Sequence, residues 1–311
     1  MVKYFLSKFG ALFGLIFLMV ILSFCSPYFL TATNLMNIAQ QSAINAIVAS
    51  GMLLTILTAG IDLSVGSILA LSICVTGVLT NIVDIHPFLG LLAGLFTGLF
   101  MGLINGLLLT KLHLPHPFIS TLGTMNIARG LALIITGSSP ISGFPDWFQF
   151  LGAGYVGLIP VSFVIVIIFV VIFHVFLNYV PMGRYIYAVG SNLEAAKLSG
   201  IKTDCVLIFV YMISGLMAAI GGIILMGRVD AAFPLAGLQY ELDAIAAVII
   251  GGASFFGGVG TIWGTLIGAM IIAVIRNGLN IMSVSPEMQT VVIGVVIIGA
   301  VYVDVLRRRA K

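Results

Sequence analysis

Long apolar runs alternate with short polar segments from one end of the chain to the other. Most of the runs have the roughly 17–25 residues that an α-helix needs to cross a bilayer core. The pattern predicts an all-α integral membrane protein with about ten transmembrane helices, in a single domain over residues 1–311. The predicted spans are residues 9–24, 37–59, 68–83, 88–110, 118–136, 158–179, 206–227, 241–256, 261–282 and 288–305, of which the third and eighth are short.

Composition supports the membrane interpretation. Charged residues make up 7% of the 311 residues, against roughly 25% in soluble domains, and the mean hydropathy is +1.24. Glycine occurs 36 times, and small residues allow membrane helices to approach one another closely. A signal peptide before a lipid-modified Cys25 is the alternative for the first run, but the bulky Phe24 does not suit a cleavage site.

Basic residues are distributed unequally between the two sides of the predicted bundle. With the N-terminus in the cytoplasm, only Arg228 falls in an outer loop, and Arg129 and Arg276 lie within spans, as the positive-inside rule favours. Ten spans then place both termini in the cytoplasm. The net charge of +3 reflects these membrane-flanking residues, so no nucleic-acid partner is expected. The residues on the cytoplasmic side are Lys3, Lys8, Lys111, Arg184, Lys197, Lys202, Arg307, Arg308, Arg309 and Lys311.

The polar loop at residues 181–203 contains a short predicted helix over residues 191–200. Ser191 followed three residues later by Glu194 is a capping-box pattern, and Gly200 suits the left-handed residue that closes a helix. Two helical turns between membrane spans are too short to be stable alone. We therefore expect this helix to dock against a cytoplasmic partner; a solvated loop that caps well is the alternative.

Polar residues in and beside the spans are candidates for a solute path. Asp62 and Ser64 lie in a Gly-rich break after the second span, where they either cap the start of the third span or line the path. Uncharged side chains suit a neutral, hydroxyl-rich solute, and hydrogen bonds between helices explain them equally well. The path candidates are Asp62, Ser64, Asn105, Thr121 and Asn126.

Charged residues also collect near the predicted outer face. Arg228, Arg276 and Glu241 either form internal ion pairs that lock helix ends or belong to a docking face for an external binding protein. Asp62 and Asp243 occupy interrupted stretches in the two halves, a weak sign of a five-plus-five inverted repeat. The sequence shows no metal-site spacing and no phosphate-binding loop, so we expect neither catalysis nor a cofactor in this chain.

Four motifs follow one another between residues 34 and 304: GIDLSVGSILALS (60–72), GRYIYAVGSNLEAAKLSGI (183–201), YELDAIAAVIIGGASFFGGVGTIWGTLIGAMI (240–271) and NGLN (277–280). Together they resemble the monosaccharide permeases of ATP-binding-cassette importers, closest to the ribose, allose, xylose and galactose branch. The resemblance implies a type II importer in the bacterial inner membrane. Two such subunits would form the pore, two ATPase subunits would use ATP and Mg beneath them, and a periplasmic binding protein would deliver the sugar.

The resemblance also assigns a role to the short cytoplasmic helix, which would insert into a groove of the ATPase. The residues that it implies for this coupling are Leu193, Glu194, Ala195, Ala196, Lys197 and Gly200.

The predicted function is the permease subunit of an importer that moves a monosaccharide from periplasm to cytoplasm by alternating access, as a homodimer in contact with lipid. The alternatives are a branched-chain amino acid or other small-solute permease of the same superfamily, a secondary sugar carrier, and a membrane scaffold. Gln239 precedes Tyr240-Glu241-Leu242-Asp243 where the ribose branch has glycine, and this departure leaves the sugar open.

Overall fold

A computed structural model describes residues 2–112, 114 and 116–309, and the side chains of this part except those of residues 2–9, 303 and 306–309. The ends of the predicted domain, Met1 and Lys311, lie outside the described residues. The other basic side chains of the orientation argument that fall outside the description are Lys3, Lys8, Arg307, Arg308 and Arg309.

Helices make up most of the described chain, and four two-residue strands lie in the connections. Strand β1 (Ile141–Ser142) pairs antiparallel with β4 (Ala231–Ala232), and β2 (Tyr155–Val156) pairs antiparallel with β3 (Ile159–Pro160). The helices are α1 (Val2–Cys25), α2 (Ala32–Leu57), α3 (Val65–Gly77) with a π-helical extension (Val78–Ile82), α4 (Pro87–Thr110), α5 (Pro117–Thr136), α6 (Asp146–Ala153), α7 (Val161–Tyr179), α8 (Pro181–Ser191), α9 (Leu193–Leu198), α10 (Thr203–Val229), α11 (Tyr240–Ile250), α12 (Ile262–Ile281) and α13 (Pro286–Arg309).

Each of the ten predicted spans contains a helix, so the all-α membrane fold is confirmed. Within the described residues, seven helices are long and apolar enough to cross a membrane: α2, α3 with its extension, α4, α5, α7, α10 and α12. Helix α11 has 11 residues, and the apolar stretches of α1 and α13, Gly10–Cys25 and Pro286–Tyr302, are also shorter. The single domain and the inverted repeat stay predictions.

The two ends of the helix bundle differ. At one end, the last residues of α2 and α4 lie beside the α11–α12 connection and the start of α10: the Gly258 N–H donates to the Leu57 carbonyl at 2.9 Å, and Lys111 pairs with Asp204 at 3.3 Å. We call this the α9 end, because α9 lies in the same loop. The opposite end, called the far end, carries α6, the strands and the start of α2, whose Gln40 bonds the Ala153 carbonyl at 3.4 Å.

Helices α2 and α10 lie at the centre, and α4 packs against α10 through glycines. In its most apolar 18-residue window, α2 has 89% of its residues buried, against 28% for α4 and α5. A Cβ added to Gly98 would lie 2.4 Å from the Gly215 carbonyl oxygen, and one on Gly102 would lie 2.2 Å from the Tyr211 carbonyl oxygen. The two backbones are therefore in direct contact. Glycines recur every fourth residue along α4: Gly98, Gly102 and Gly106 meet α10, and Gly90 and Gly94 meet α3 and its extension.

The connection at residues 137–157, between the fifth and sixth predicted spans, contains β1, α6 and β2. Helix α6 packs on the end of α10, where a Cβ on Gly152 would lie 2.2 Å from the Arg228 amide nitrogen. Phe148 is fully buried there.

Candidate functional site

The break between α2 and α3 places Asp62 at the centre of a buried hydrogen-bond network. Its side chain has no exposed surface. One carboxylate oxygen accepts bonds from the Ser64 N–H at 3.0 Å and from the Ser64 hydroxyl. The other oxygen accepts from the Ser214 hydroxyl of α10 at 2.7 Å. The carboxylate therefore holds the broken segment against the central helix α10.

The same network continues into α4 and α5. The Asn105 amide donates to the Ser64 hydroxyl at 2.8 Å, and the Asn105 carbonyl oxygen accepts from the Thr124 hydroxyl at 2.6 Å. The Thr121 hydroxyl lies 3.4 Å from the Ile61 carbonyl oxygen. Both Asn105 and Thr121 are fully buried. One polar cluster therefore connects the break with α4, α5 and α10.

Four of the five path candidates, Asp62, Ser64, Asn105 and Thr121, thus lie in one cluster, and the fifth does not. Asn126 is exposed on α5 and donates to the carbonyl of Leu122 in its own helix at 3.0 Å.

Of the capping alternative, the part for Asp62 agrees with the structure, because its carboxylate accepts from the Ser64 N–H at the start of α3, and the part for Ser64 does not. Ser64 occupies the cap position, but its hydroxyl makes no cap bond and donates to Asp62 instead. Sequence reasoning also missed Ser214, whose only signal is a single hydroxyl between apolar residues and Gly215.

Charged residues at the far end are mostly engaged within the chain. The guanidinium of Arg276 donates to both oxygens of Asp243, at 2.9 and 2.7 Å. Glu241 faces α3, since a Cβ on Gly66 would lie 2.6 Å from its Oε2 atom. Arg129 donates to the Pro234 and Ala236 carbonyls. These contacts favour internal pairing over docking for Arg276.

Arg228 differs from these residues. It was predicted to lie in an outer loop, but it lies in the last turn of α10. Its side chain makes no hydrogen bond or ion pair within the part of the chain that the structure describes. Arg228 borders a pocket together with Arg276 and Asp243.

The loop at residues 181–203 holds two helices, α8 and α9, where one was predicted. The predicted capping box is wrong: Asn192 is the N-cap of α9 and accepts from the Ala195 N–H at 3.0 Å. Ser191 ends α8 and donates to the Tyr187 carbonyl at 2.8 Å. Glu194 pairs with Lys197 at 3.3 Å instead of reaching back to residue 191. The left-handed conformation of Gly200 is confirmed, with φ of +81°.

Helix α9 exposes most of its side chains. Leu198 is 90% exposed and Leu193 is 40% exposed, whereas Ala196 is buried against the rest of the molecule. Glu194, Ala195 and Lys197 also face outward. The helix is therefore a protruding element with apolar residues on its surface, next to a cavity of about 510 Å³ that reaches Thr58 and Ala59.

Helix α8 anchors α9 to the bundle. The Tyr187 hydroxyl donates to the Gly260 carbonyl at 2.8 Å, and burial raises the pKa of Tyr187. A Cβ on Gly190 would lie 1.7 Å from the Leu57 carbonyl oxygen, so α8 touches the end of α2 directly. Helix α8 therefore connects α9 to the end of α2, the segment that leads into the break.

Within the described residues, no group of three or more His, Cys, Asp or Glu side chains is arranged to hold a metal ion.

The sequence of the chain is similar to those of known proteins. The family model described as "Branched-chain amino acid transport system / permease component" matches residues 34–301. The ribose import permease protein RbsC of Bacillus subtilis is 48% identical over 96% of this chain and 93% of its own length. The D-allose transport system permease protein AlsC of Escherichia coli is 43% identical over 96% of the chain and 92% of its own length.

A further relative, the galactose/methyl galactoside import permease protein MglC of Escherichia coli, is 38% identical over 99% of this chain and 96% of its own length. No solved structure matches the chain significantly.

Proposed function

We propose that the chain, which belongs to the family of branched-chain amino acid transport system permease components, is the permease subunit of an importer for a monosaccharide. The observation that carries this proposal is the similarity to a ribose import permease over nearly the whole length of both chains, at 48% identity. Relatives named for allose and galactose indicate the same class of neutral, hydroxyl-rich solute. The chain is a multi-pass protein of the bacterial inner membrane.

The importer would draw its energy from a separate ATPase subunit that hydrolyses ATP with Mg, since this chain has no phosphate-binding loop. We propose that α9 is the element that contacts this ATPase, with the α9 end in the cytoplasm. Its exposed Leu193 and Leu198 support the proposal, because apolar residues on a protruding polar loop suit a protein groove. Glu194, Ala195, Lys197 and Gly200 complete the exposed surface, and Ala196 packs inward.

Alternating access would then follow from the anchoring of α9. Movement of α9 by the ATPase would shift α8, and α8 would shift the end of α2 through the contact of Gly190 with Leu57. The adjoining break is held to three other helices by Asp62 and its partners. The network therefore moves as one piece, as rigid-body rocking requires. A second copy of the chain would complete the pore.

The test is ATP-dependent uptake by the full-length permease, reconstituted with its ATPase and binding protein in proteoliposomes. We expect uptake of D-ribose or a related sugar, lost in Leu198→Asp because a charge replaces the apolar contact with the ATPase. Co-purification of the ATPase should fall in parallel. The matched control is Leu158→Asp, which places the same change on an equally exposed leucine at the far end (81% against 90%).

Three outcomes would contradict the proposal. Uptake of a branched-chain amino acid in place of sugars would reassign the solute. Uptake without ATPase, abolished by an uncoupler, would identify a secondary carrier. Normal ATPase association in Leu198→Asp, with wild-type amounts in the membrane, would remove α9 from the coupling interface.

We also propose that the binding protein docks on the far end. Of the three candidates, Arg228 supports this role best, because Arg276 is paired with Asp243 and Glu241 faces α3. In Arg228→Glu, the association rate of the binding protein should fall several-fold at low salt and approach the wild-type rate as salt screens the charge. An association rate that is unchanged at low salt would exclude Arg228 from docking.

A further inference from the structure

A pocket of about 220 Å³ opens at the far end, between α2, α11, α12 and the last turn of α10. Its polar lining is unusually rich for a membrane helix bundle, in which polar side chains are costly. Besides the Arg276–Asp243 pair, the polar lining residues are Gln41, Asn45, Arg228, Gln239 and Tyr240.

Asn45 lies deepest among the α2 residues of the pocket. It is 13 residues beyond the start of α2 at Ala32, about 20 Å along the helix axis. Both the amide nitrogen and the amide oxygen are buried and have no partner within the described residues. Buried polar atoms without partners are rare because their lost hydration is not compensated. Asn45 lines the pocket, and the hydrogen-bonding capacity of its amide is unused.

Gln239 at the rim adopts a backbone conformation that side-chain-bearing residues avoid. Its φ is +68°, in the left-handed region, and its side chain makes no cap bond to α11, which it precedes. Glycine would occupy this position without strain. Backbone strain concentrates at ligand sites, where the side chain is needed for another reason. The amide of Gln239 and the unpaired Arg228 border the same opening.

We propose that this pocket is a binding site for a monosaccharide on its way into the bundle, an inference that rests on the proposed function. Each amide group both donates and accepts, which matches sugar hydroxyls that do the same. The Asp243 carboxylate adds acceptors, and its charge is balanced by Arg276 at 2.7 Å. The Tyr240 ring adds an apolar surface, as pockets for small molecules generally combine a few polar groups with apolar walls.

Binding is measured with the full-length permease in lipid nanodiscs, using D-ribose, D-allose and D-galactose as probes. The first variant is Asn45→Leu, which keeps the volume of the side chain and removes its amide. We expect binding to weaken about ten-fold or more, as loss of hydrogen bonds to a buried group does. The thermal midpoint should stay equal or rise, because an unpaired buried amide is removed.

Weaker sugar binding together with an equal or raised thermal midpoint indicates a ligand site. If Asn45 had a structural role instead, its replacement would lower the thermal midpoint. The matched control is Asn178→Leu, because Asn178 is an exposed asparagine at the end of α7 that bonds His174 of its own helix at 2.7 Å. The Asn178→Leu variant should bind the sugars with the affinity of the wild type.

A second variant, Gln239→Gly, tests the rim. It removes the side chain and relieves the left-handed backbone, so the protein should become more stable while binding weakens several-fold. Wild-type affinity in both Asn45→Leu and Gln239→Gly would overturn the proposal. So would binding of the anion D-ribonate with no binding of the uncharged sugars, because the site would then be an anion site built on Arg228 and Arg276.

Uptake by the reconstituted importer distinguishes failure of the pocket from failure of the proposed function. If the wild type imports a sugar but shows no saturable binding of it in nanodiscs, the pocket is overturned and the function stands. If the wild type neither binds nor imports any of the three sugars, the proposed function fails and the ligand assigned to the pocket fails with it.

Discussion

Asp62 accepts three hydrogen bonds although its side chain has no exposed surface. Its partners are the backbone and hydroxyl of Ser64 in the break, and the hydroxyl of Ser214 in α10. A buried polar group is tolerated only when its partners are also satisfied, and here each donor depends on the same carboxylate. Both alternatives for Asp62, a cap or a path-lining group, overlooked this role in holding two elements together.

At the residue scale we predict that Asp62→Leu destabilises the permease by about 3 kcal/mol, because it leaves the Ser64 and Ser214 donors buried without an acceptor. Asp62→Asn keeps one acceptor oxygen and should therefore lose less stability than Asp62→Leu. Thermal unfolding of the purified full-length chain in nanodiscs measures both variants. Asp84→Asn, in an exposed turn, is the control and should unfold like the wild type. An Asp62→Leu protein as stable as Asp84→Asn would refute the structural role of the carboxylate.

At the scale of elements, α4 is joined to α10 by backbone contact and not by interlocking large side chains. In lipid, apolar side chains gain little by leaving one apolar environment for another, so close packing of small residues carries the association. Gly98, Gly102 and Gly106, spaced four residues apart, place this contact on one face of α4, and Gly90 and Gly94 continue the row against α3 and its extension. Glycine abundance alone indicated close helix packing, whereas the four-residue spacing in the printed sequence also indicates which face is packed.

We predict that Gly102→Ala separates α4 from α10, since the added Cβ would lie 2.2 Å from the Tyr211 carbonyl oxygen. Overpacking of this kind costs about 1–3 kcal/mol. Gly130→Ala in α5 is the matched control, because its Cβ would meet nothing within 4 Å. Thermal unfolding and the yield of folded protein from membranes should fall only for Gly102→Ala. Equal losses in the two variants would mean that glycine is needed for some reason other than this contact.

The pair α8 and α9 shows where local sequence patterns mislead. The Ser-x-x-Glu spacing predicted a cap at residue 191, but Ser191 is the last residue of α8 and Asn192 takes the cap. Two adjacent cap formers compete, and the packing of α8 against Leu57 and Gly260 decides between them. Such long-range contacts lie outside any window of local sequence.

At the scale of the whole molecule, the cytoplasmic location of the α9 end can be tested directly. In a cysteine-free background, Leu198→Cys should react with a membrane-impermeant thiol reagent only in inside-out vesicles. Leu158→Cys should react only in intact cells whose outer membrane has been made permeable. Both side chains are more than 80% exposed, so accessibility does not limit either reaction. The reverse labelling pattern would invert the orientation and contradict ATPase contact through α9.

Sequence reasoning predicted most of the fold because membrane insertion is governed by local hydropathy. The ten helical segments follow from the length of each apolar run. The contacts within the bundle were less accessible. The clustering of Asp62, Asn105 and Thr124 depends on which helices become neighbours, and hydropathy says nothing about neighbours. The pocket around Asn45 was missed for the same reason, since a single asparagine in an apolar run resembles any other helix-packing residue.

The short pairing of β1 with β4 has a consequence for how the far end can open. It joins the connection before α6 to the segment after α10, and the Phe144 N–H donates to Asp230 at 3.0 Å beside it. Gly152 and Gly227 press the two helix backbones together next to the same seam. A segment fastened at three places cannot swing aside like a flap. We therefore expect any widening of this end to involve a tilt of α10, with the rim moving together with it.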